Sequence, residues 1–258
     1  MPQLTDIAYI RGLLARHGFS FSKKLGQNFL INPTVCPRMA EACGASPESG
    51  VLEIGPGIGV LTHELAKRAG RVAAVELDAR LLPVLAETLA GHDNVAVVPG
   101  DVLKLDLHRL LEEQFGDMPV AVCANLPYYI TSPIVMALLE SRLPVESITV
   151  MVQKEAAQRL CARPGTRECG AVTLAVAYYA EAERLFDVSR GSFLPAPQVD
   201  SSVIRLRVRR EPPCAVTDEA LLFRLIRTAF GQRRKTLPNA LSAVADKAVL
   251  AEILGGLD

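Results

Sequence analysis

A regular alternation of short apolar runs and amphipathic segments constrains the fold of this chain more than any other feature. Apolar runs typical of buried strands lie at 51–54, 71–75, 95–98, 120–124 and 147–152. Segments with helical periodicity follow them at 60–69, 79–89, 107–115, 133–140 and 154–161. This spacing predicts an α/β fold with a doubly wound, mostly parallel sheet. Sheets of this kind bind ligands at the carboxyl ends of their strands.

The two ends of the chain depart from this alternation. Helices are predicted before the first strand, at 5–17 and 33–43. Residues 202–208 alternate apolar side chains with arginines, which is typical of a strand with one basic, solvent-facing side. Beyond Pro212-Pro213 the pattern predicts only helices, at 218–230, 237–245 and 247–254. We therefore expect two units, at 1–211 and 212–258.

Composition narrows the class of protein. Hydrophobic residues make up 50% and charged residues 22% of the 258 positions, which favours a packed core over disorder. The six cysteines have no Cys-x-x-Cys spacing and the four histidines form no cluster, so we expect reduced thiols, no metal site and a cytoplasmic location. There is no secretory signal, and no apolar stretch reaches the ~18 residues of a membrane span.

A glycine-rich turn follows the first strand of the alternation. Gly55 and Gly57 allow a ligand to approach the backbone closely, and the following helix adds partial positive charge at its amino terminus. A dinucleotide fingerprint would place the third glycine one residue later than Gly59. Glu53 precedes the turn and would repel phosphates. A ligand with an amino-acid moiety therefore fits this turn better than a pyrophosphate.

Acidic residues close the next two strands. Glu76 ends the second strand, where an ionised carboxylate accepts both hydroxyl protons of a ribose. Asp101 follows the third strand and is placed to accept a hydrogen bond from the amine of an adenine. An ordinary helix cap is the structural alternative for each acid. Together with the glycine turn, these strand ends describe an adenosyl group carrying an amino acid, which is S-adenosylmethionine.

The tetrapeptide Asn125-Leu126-Pro127-Tyr128 follows the fourth strand. It offers a carboxamide, backbone carbonyls held outward by the proline, and an aromatic face. This set is suited to gripping a planar ring that bears an amino group and aiming its nitrogen. Asn125 would lie beside the activated methyl group of the cofactor.

With these motifs the chain resembles the small-subunit ribosomal RNA adenine N6-dimethyltransferase family, from about residue 16 to 241. The resemblance includes the segments at 25–30, 53–57, 75–78, 100–101, 125–128, 193–203 and 230–237. It implies a Rossmann-like S-adenosylmethionine-dependent methyltransferase domain with a small helical carboxyl-terminal domain. The implied activity is the transfer of methyl groups to N6 of two adjacent adenines near the 3′ end of small-subunit RNA. The implied substrate is the RNA of an immature 30S particle, and the enzyme is expected to be a monomer.

The resemblance also assigns roles to individual residues. The cofactor site would comprise Gln27, Asn28, Leu30, Glu53, Gly55, Gly57, Glu76, Leu77, Asp101, Val102 and Asn125. The target amine would be bound by Asn125, Leu126 and Pro127, and the target base would stack between Tyr128 and Phe193. The basic residues expected to contact RNA phosphates are Lys23, Lys24, Arg205, Arg207, Arg233, Arg234 and Lys235. For each of them a solvated surface charge is the alternative.

The chain departs from the family pattern at a few positions. Tyr129 stands where many relatives have Asn, which affects the floor of the target pocket. Cys169 stands where relatives often have an aromatic residue. The carboxyl-terminal unit is also expected to be shorter than in relatives.

Three other functions remain open at this stage. A large-subunit RNA adenine methyltransferase of the antibiotic-resistance type would share the cofactor site. A protein that chiefly assists small-subunit assembly would bind the same particle. A nicotinamide-dependent oxidoreductase is disfavoured by the glycine spacing and by the tetrapeptide that begins at Asn125.

Overall fold

The computed structural model describes residues 4–22 and 25–256, and within it a mixed sheet of seven strands carries the fold. The strands are β1 (Phe29–Leu30), β2 (Gly50–Ile54), β3 (Arg71–Glu76), β4 (Val95–Pro99), β5 (Val120–Asn125), β6 (Val145–Gln153), β7 (Ala180–Val188), β8 (Phe193–Leu194) and β9 (Ser201–Val208). The sheet order is β4-β3-β2-β5-β6-β9-β7, and β1 pairs separately with β8. The first five strands in this order are parallel, whereas β9 is antiparallel to both of its neighbours. The α/β prediction is confirmed.

Helices cover both faces of the sheet. They are α1 (Ile7–Arg16), α2 (Val35–Ala42), α3 (Val60–Ala66), α4 (Leu82–Thr88), α5 (Leu107–Phe115), α6 (Thr131–Glu140), α7 (Lys154–Leu160), α8 (Ala171–Tyr179), α9 (Glu219–Gly231), α10 (Leu237–Leu241) and α11 (Lys247–Gly255). Adjacent strand residues face opposite layers: Val51 packs with α1–α4, and Leu52 packs with α5, α6 and α8. Each fully buried aliphatic side chain contributes about 1.5–3 kcal/mol.

The order of strands places a switch point between β2 and β5. The chain winds outward from β2 to β3 and β4 on one side, and from β5 to β6 on the other. Crossovers of opposite direction leave a crevice at the carboxyl ends of β2 and β5, which is where open α/β sheets bind ligands. This arrangement brings the strand-end motifs of the sequence together.

The carboxyl-terminal helices rest on the main unit through an aromatic contact. Phe223 of α9 stacks on Tyr179, with ring centroids 5.5 Å apart, and meets Tyr178 edge-on at 5.4 Å. Glu219, in the first turn of α9, accepts a hydrogen bond from Tyr178 at 2.9 Å and pairs with Arg142. The division at residue 212 stays a prediction, and α9 is anchored to the unit before it.

Candidate active site

One cleft of about 1230 Å³ opens at the carboxyl ends of β2, β3 and β5. Its walls contain every residue that the sequence assigned to the cofactor or to the target base. Those residues are Gln27, Asn28, Leu30, Glu53, Gly55, Gly57, Glu76, Leu77, Asp101, Val102, Asn125, Leu126, Pro127, Tyr128 and Phe193. The wall also includes residues for which the sequence gave no signal, such as Cys36, Ile130, Ile134 and Met151. The predicted residues are therefore brought together, and their roles stay predictions.

The glycine turn presents bare backbone to the cleft. Gly55 has φ +70°, and a Cβ built on it would meet no atom within 4 Å. Gly57 has φ +62°, and a Cβ there would lie 3.2 Å from the Phe29 ring. Positive φ disfavours other residues at both positions. Gly55 thus leaves room for a ligand against the main chain, and Gly57 allows the segment around Phe29 to pack on the turn.

Glu76 is fixed at the end of β3 by two backbone donors. Its Oε1 accepts from the Asp78 N–H at 2.8 Å, and its Oε2 accepts from the Gly57 N–H at 3.2 Å. Burial raises the pKa of this carboxyl, and the two backbone bonds oppose that effect. The cap of the following 3-10 turn is Asp78 rather than Glu76, so the helix-cap alternative for Glu76 is excluded. The carboxylate is oriented towards the cleft.

Glu53 is the most deeply buried acid in the cleft wall, with 1% of its surface exposed. Its Oε2 has no hydrogen-bond partner within the described part of the chain, and neither has Thr62 Oγ1. Desolvation raises the pKa of Glu53 to about 8; the nearby Thr62 hydroxyl opposes the shift, although it is not within hydrogen-bond geometry of Oε2, and repulsion from Glu76 adds to it. A buried acceptor without a partner, beside a glycine turn, fits a cationic ligand group.

Asp101 lines the cleft just after the end of β4. Its Oδ1 accepts from the Leu103 N–H at 3.1 Å, and Lys104 Nζ lies 3.6 Å from its Oδ2. The next helix, α5, is capped by Asp106. Asp101 therefore closes a tight turn and does not cap a helix, which removes the alternative that the sequence left open.

The segment before β1 crosses the cleft mouth and is tied to the end of β3. Gln27 Nε2 donates to Asp78 Oδ2 at 2.8 Å, while its Oε1 accepts from the Ser22 N–H at 2.8 Å. Asn28 Nδ2 donates to the Gly26 carbonyl at 3.0 Å. Both side chains therefore hold the segment in place. Leu30, which lines the cleft, is buried.

The end of β5 presents two acceptors without partners. The Asn125 side chain is half-buried, lines the cleft and has no hydrogen-bond partner among the described residues. The Leu126 N–H donates to the Met151 carbonyl at 3.1 Å, and within the same part of the chain the Leu126 carbonyl accepts no hydrogen bond. The Pro127 carbonyl instead accepts from the Ile130 N–H and from Thr131 Oγ1, at 3.2 and 3.3 Å. The expectation that the Pro127 carbonyl points outward and is free to bind the target amine is wrong, because this carbonyl accepts hydrogen bonds in the turn that leads into α6.

Three aromatic side chains flank these acceptors. Tyr128 begins a 3-10 turn and its hydroxyl lies 2.7 Å from Ser201 Oγ. Burial raises the pKa of this phenol, so it stays neutral. Phe193 is only 3% exposed and pairs with Leu30 across β1 and β8, whereas Tyr129 is 57% exposed at the cleft mouth. Tyr128 and Tyr129 are therefore more accessible than Phe193.

The predicted RNA contacts have unequal surroundings. Lys23 and Lys24 lie outside the described residues. Arg205 and Arg207 share Glu183, at 2.9 and 3.1 Å: Arg205 lies directly opposite that acid across β7 and β9, and Arg207 reaches it from the neighbouring position opposite Glu181. One carboxylate therefore only partly neutralises the two guanidinium groups, and their contact with RNA stays a prediction. The remaining three predicted contacts, Arg233, Arg234 and Lys235, are exposed after α9.

No group of three or more His, Cys, Asp or Glu side chains within the described residues is arranged to hold a metal ion. None of the helices found there has the length and apolarity needed to cross a membrane.

Comparison with known proteins identifies the family. The family model for ribosomal RNA adenine dimethylase matches residues 18–254. Ribosomal RNA small subunit methyltransferase A of Geobacillus thermodenitrificans is 54% identical over 230 residues, covering 89% of this chain and 78% of the relative. The protein of the same description from Bacillus licheniformis is 51% identical, covering 89% of this chain and 79% of the relative.

Two solved structures share the fold at appreciable sequence identity. A dimethyladenosine transferase from Plasmodium falciparum superposes with a TM-score of 0.71 and 29% identity, covering 83% of this chain and 74% of that one. The 23S rRNA methyltransferase ErmE superposes with a TM-score of 0.67 and 34% identity, covering 86% of each chain. Because the family model spans nearly the whole chain and the relatives are more than half identical, the chain belongs to the ribosomal RNA adenine dimethylase family.

Proposed function

We propose that this protein transfers methyl groups from S-adenosylmethionine to N6 of two adjacent adenines near the 3′ end of small-subunit ribosomal RNA, giving N6,N6-dimethyladenosine. The observation that carries the proposal is the pair of free acceptors at Asn125 and Leu126, which share one cleft with the glycine turn and with Glu76. A cofactor site and an amine-binding site must adjoin for methyl transfer.

The cleft fits S-adenosylmethionine by its donor and acceptor set. Gly55 leaves space against the main chain, and Glu53 offers an unpartnered buried oxygen for the ammonium of an amino acid. Glu76 would hold the ribose hydroxyls and Asp101 the adenine amine. Leu30, Leu77 and Val102 would supply apolar contacts to the adenosyl group.

The cofactor supplies an electrophilic methyl group on a sulfonium, and the protein's contribution is to present the nitrogen. Adenine N6 is a weak nucleophile because its lone pair is delocalised into the ring. The Asn125 Oδ1 and the Leu126 carbonyl would accept its two N–H bonds. Acceptors in these positions favour a pyramidal nitrogen, aim its lone pair and stabilise the positive charge that grows on it. The nitrogen attacks as a neutral amine, so no general base is required before transfer.

The target base must leave its stack to reach the cleft. Extrusion costs least for an unpaired adenine in a loop. Stacking on an aromatic side chain returns roughly 1–3 kcal/mol per base. Tyr128 would supply one face, since Ser201 fixes its hydroxyl and leaves the ring beside the acceptors. Phe193 would take the second face only after movement of its buried ring.

We propose further that the substrate is RNA within an immature 30S particle, and that the enzyme acts as a monomer in the cytoplasm. An incompletely assembled particle leaves the target loop free for extrusion.

Methylation of large-subunit RNA is the second candidate, because ErmE shares the fold at 34% identity. Isolated 30S and 50S subunits are incubated side by side with the protein and isotopically labelled S-adenosylmethionine, and nuclease digests are analysed by mass spectrometry. We expect labelled N6,N6-dimethyladenosine only from the 30S reaction. Label in the 50S reaction alone would show that the substrate is large-subunit RNA.

A role chiefly in assembly is tested with the same particles. Asn125→Ala removes one acceptor and leaves the remainder of the surface unchanged. If catalysis is the main role, the variant binds 30S particles normally, fails to methylate them and fails to restore normal subunit maturation in cells that lack the enzyme. Full restoration by the inactive variant would favour the assembly role.

A further inference from the structure

Two loops that are distant in sequence meet to form an exposed basic surface. Arg163 and Arg167 lie in the loop between α7 and α8, and Arg233, Arg234 and Lys235 lie in the loop between α9 and α10. The two loops are joined by a hydrogen bond from the Arg233 guanidinium to the Arg167 carbonyl, 3.1 Å long. We refer to these five residues as the basic surface.

The charges of the basic surface are not neutralised by neighbours. Within the described residues, no carboxylate lies within ion-pair distance of any of its five cations. Glu168 is the one acid in the two loops, and it is exposed. By contrast, Arg205 and Arg207 of β9 share Glu183. Unpaired, solvated cations on neighbouring loops are typical of a surface that binds polyanions.

The topology places the basic surface on the side of the sheet where the cleft opens. Strand β7 begins at Ala180, which pairs with Val208 at the end of the strands opposite the cleft. Helix α8 ends directly before Ala180, so the other end of α8 lies nearer the cleft. The helix α9 starts beside Tyr178, near the end of α8, and runs back to Arg233. Both loops therefore return to the edge that carries Asn125.

We propose that the loop bearing Arg163 and Arg167 is a phosphate-binding element that extends the Arg233–Lys235 site and holds RNA beside the cleft. The inference rests on the proposed function, because it takes RNA as the substrate. Guanidinium groups bind phosphate oxygens through charge-assisted, often bidentate hydrogen bonds. The hydrogen bond between Arg233 and the Arg167 carbonyl brings the two loops side by side, so both can contact one stretch of RNA backbone.

The test is the salt dependence of RNA binding by the double variant R163Q/R167Q. Binding of a small-subunit RNA fragment is measured between low and moderate salt, and log Kd is plotted against log salt concentration. Each phosphate contact that is lost should lower the slope by about one unit, so we expect a fall of about two units. The matched control is K67Q/R68Q, which removes the same charge at the carboxyl terminus of α3, at the sheet edge away from the cleft.

The outcomes separate this proposal from the proposed function. A lower slope for R163Q/R167Q, with an unchanged slope for the control and unchanged S-adenosylmethionine affinity, supports the basic surface. An unchanged slope in a double variant that still methylates RNA overturns it and leaves the proposed function standing. Equal falls in both variants would also overturn it, because the effect would then be one of net charge. If the wild-type protein does not methylate RNA, it is the proposed function that fails.

A second, independent observation concerns Asp78. Its carboxylate accepts from Arg80 Nε at 2.9 Å, from Arg80 Nη2 at 2.7 Å and from Gln27 Nε2 at 2.8 Å. Its backbone N–H donates to Glu76 at 2.8 Å. The side-chain bond to Arg80 holds the pKa of Asp78 below its ordinary value, so the carboxylate is charged at neutral pH. One residue thus joins the predicted ribose acid to the segment over the cleft mouth.

Arg80 fastens the same segment at a second point. Its guanidinium lies 5.0 Å from the Phe19 ring centroid, and its Nη1 donates to the Ser20 carbonyl at 3.4 Å. We refer to residues 19–22 and 25–30 as the amino-terminal strap. The strap lines the cleft from Leu25 to Leu30.

We infer that Asp78 and Arg80 form a positioning pair that holds the amino-terminal strap over bound S-adenosylmethionine. The Asp78 carboxylate holds Gln27, and Arg80 holds that carboxylate and the Ser20 carbonyl. Loss of the Asp78 charge frees the strap, so the cofactor leaves faster. The chemical step, at the end of β5, is affected less.

The test compares Asp78→Asn with Glu87→Gln. Glu87 pairs with Arg16 and His17 at 2.5 and 2.7 Å, so its variant loosens the amino-terminal helix away from the cleft. We expect Asp78→Asn to raise both the Kd and the dissociation rate of S-adenosylmethionine by roughly tenfold. The strap should also become more sensitive to proteolysis in the presence of cofactor. The kcat at saturating cofactor should stay within about threefold of the wild type. Glu87→Gln should change the melting temperature alone. Unchanged cofactor affinity in folded Asp78→Asn, or an equal affinity loss in Glu87→Gln, would overturn the inference.

Discussion

The two halves of the cleft are built differently. In the half formed by the ends of β2 and β3, Glu76 accepts from Gly57 and Asp78, and Asp78 accepts from Gln27, while Glu53 Oε2 has no partner within the described residues. In the half formed by the end of β5, the acceptors of Asn125 and Leu126 have no partner in the part of the chain described by the structure. We propose that the first half is preorganised for a cofactor of fixed shape and that the second keeps its hydrogen-bonding capacity for the substrate.

This contrast predicts two kinds of variant. Changes in the β2–β3 half should alter cofactor affinity, because we propose that its groups contact parts of the cofactor that do not react. Changes in the β5 half should alter turnover, because we propose that its groups contact the nitrogen on which charge develops. The predictions below test that division from the largest expected effect to the smallest.

Asn125→Ala should lower kcat by about 10²–10³, the range measured when one preorganised hydrogen-bonding group is removed from a site of developing charge. The cofactor Kd should change by no more than about threefold. Single-turnover methylation and calorimetric titration with S-adenosylmethionine measure the two quantities. Asn125→Asp keeps an acceptor oxygen and should retain more activity than the alanine variant. Near-normal turnover in Asn125→Ala would contradict the role of the carboxamide.

Glu76→Ala should weaken S-adenosylmethionine binding by about 10- to 100-fold, the range for loss of hydrogen bonds to a charged group. The reason is that a ribose diol loses its acceptors and the Gly57 and Asp78 N–H groups lose theirs. Calorimetry measures the change, with Glu113→Gln on the exposed face of α5 as control. A loss of kcat at saturating cofactor, with unaltered affinity for S-adenosylmethionine, would contradict the assignment of the β2–β3 half to cofactor binding.

The difference between the halves also explains what the sequence predicted well. Strand-end positions such as Glu76 and Asn125 follow from hydrophobic periodicity, because parallel strands carry their carboxyl ends to one edge. The sheet order and the cleft lining confirm that placement.

Side-chain partners were predicted less well, because they depend on contacts between distant segments. The bond between Gln27 and Asp78 spans 51 positions, and no local pattern signals it. The pairing of Arg205 with Glu183 depends on the register of β7 against β9. The prediction of a free Pro127 carbonyl failed because a 3-10 turn begins at the next residue, and the Ile130 N–H of that turn donates to this carbonyl.

Glu53→Gln should remove a pH dependence of stability. Burial raises the folded-state pKa from 4.5 to about 8. The stabilisation from the neutral carboxyl is therefore fully present below pH 4.5 and is lost as the pH rises through about 8. Between pH 6 and 8 the wild-type free energy of unfolding should fall by roughly 2 kcal/mol relative to Glu53→Gln.

Denaturant unfolding of both proteins at several pH values measures the effect. Saturating S-adenosylmethionine should reduce the pH dependence of the wild type, because a bound ammonium favours the charged carboxylate. Parallel stability profiles for the two proteins would mean that Glu53 does not change its ionisation in this range.

Tyr129→Asn should have the smallest effect, and it tests where the two halves meet. Tyr129 follows the β5 tetrapeptide, yet its ring faces the strap: a Cβ built on Gly26 would lie 3.3 Å from Tyr129 Cδ1. The ring is 57% exposed, so its loss removes little buried apolar area. We expect cofactor Kd and kcat each to change by about threefold or less. Tyr129→Phe keeps the ring and should match the wild type. A fall in kcat of more than about tenfold with unaltered cofactor affinity would instead make Tyr129 a stacking partner of the target base. Tyr129 would then belong to the substrate-binding half of the cleft.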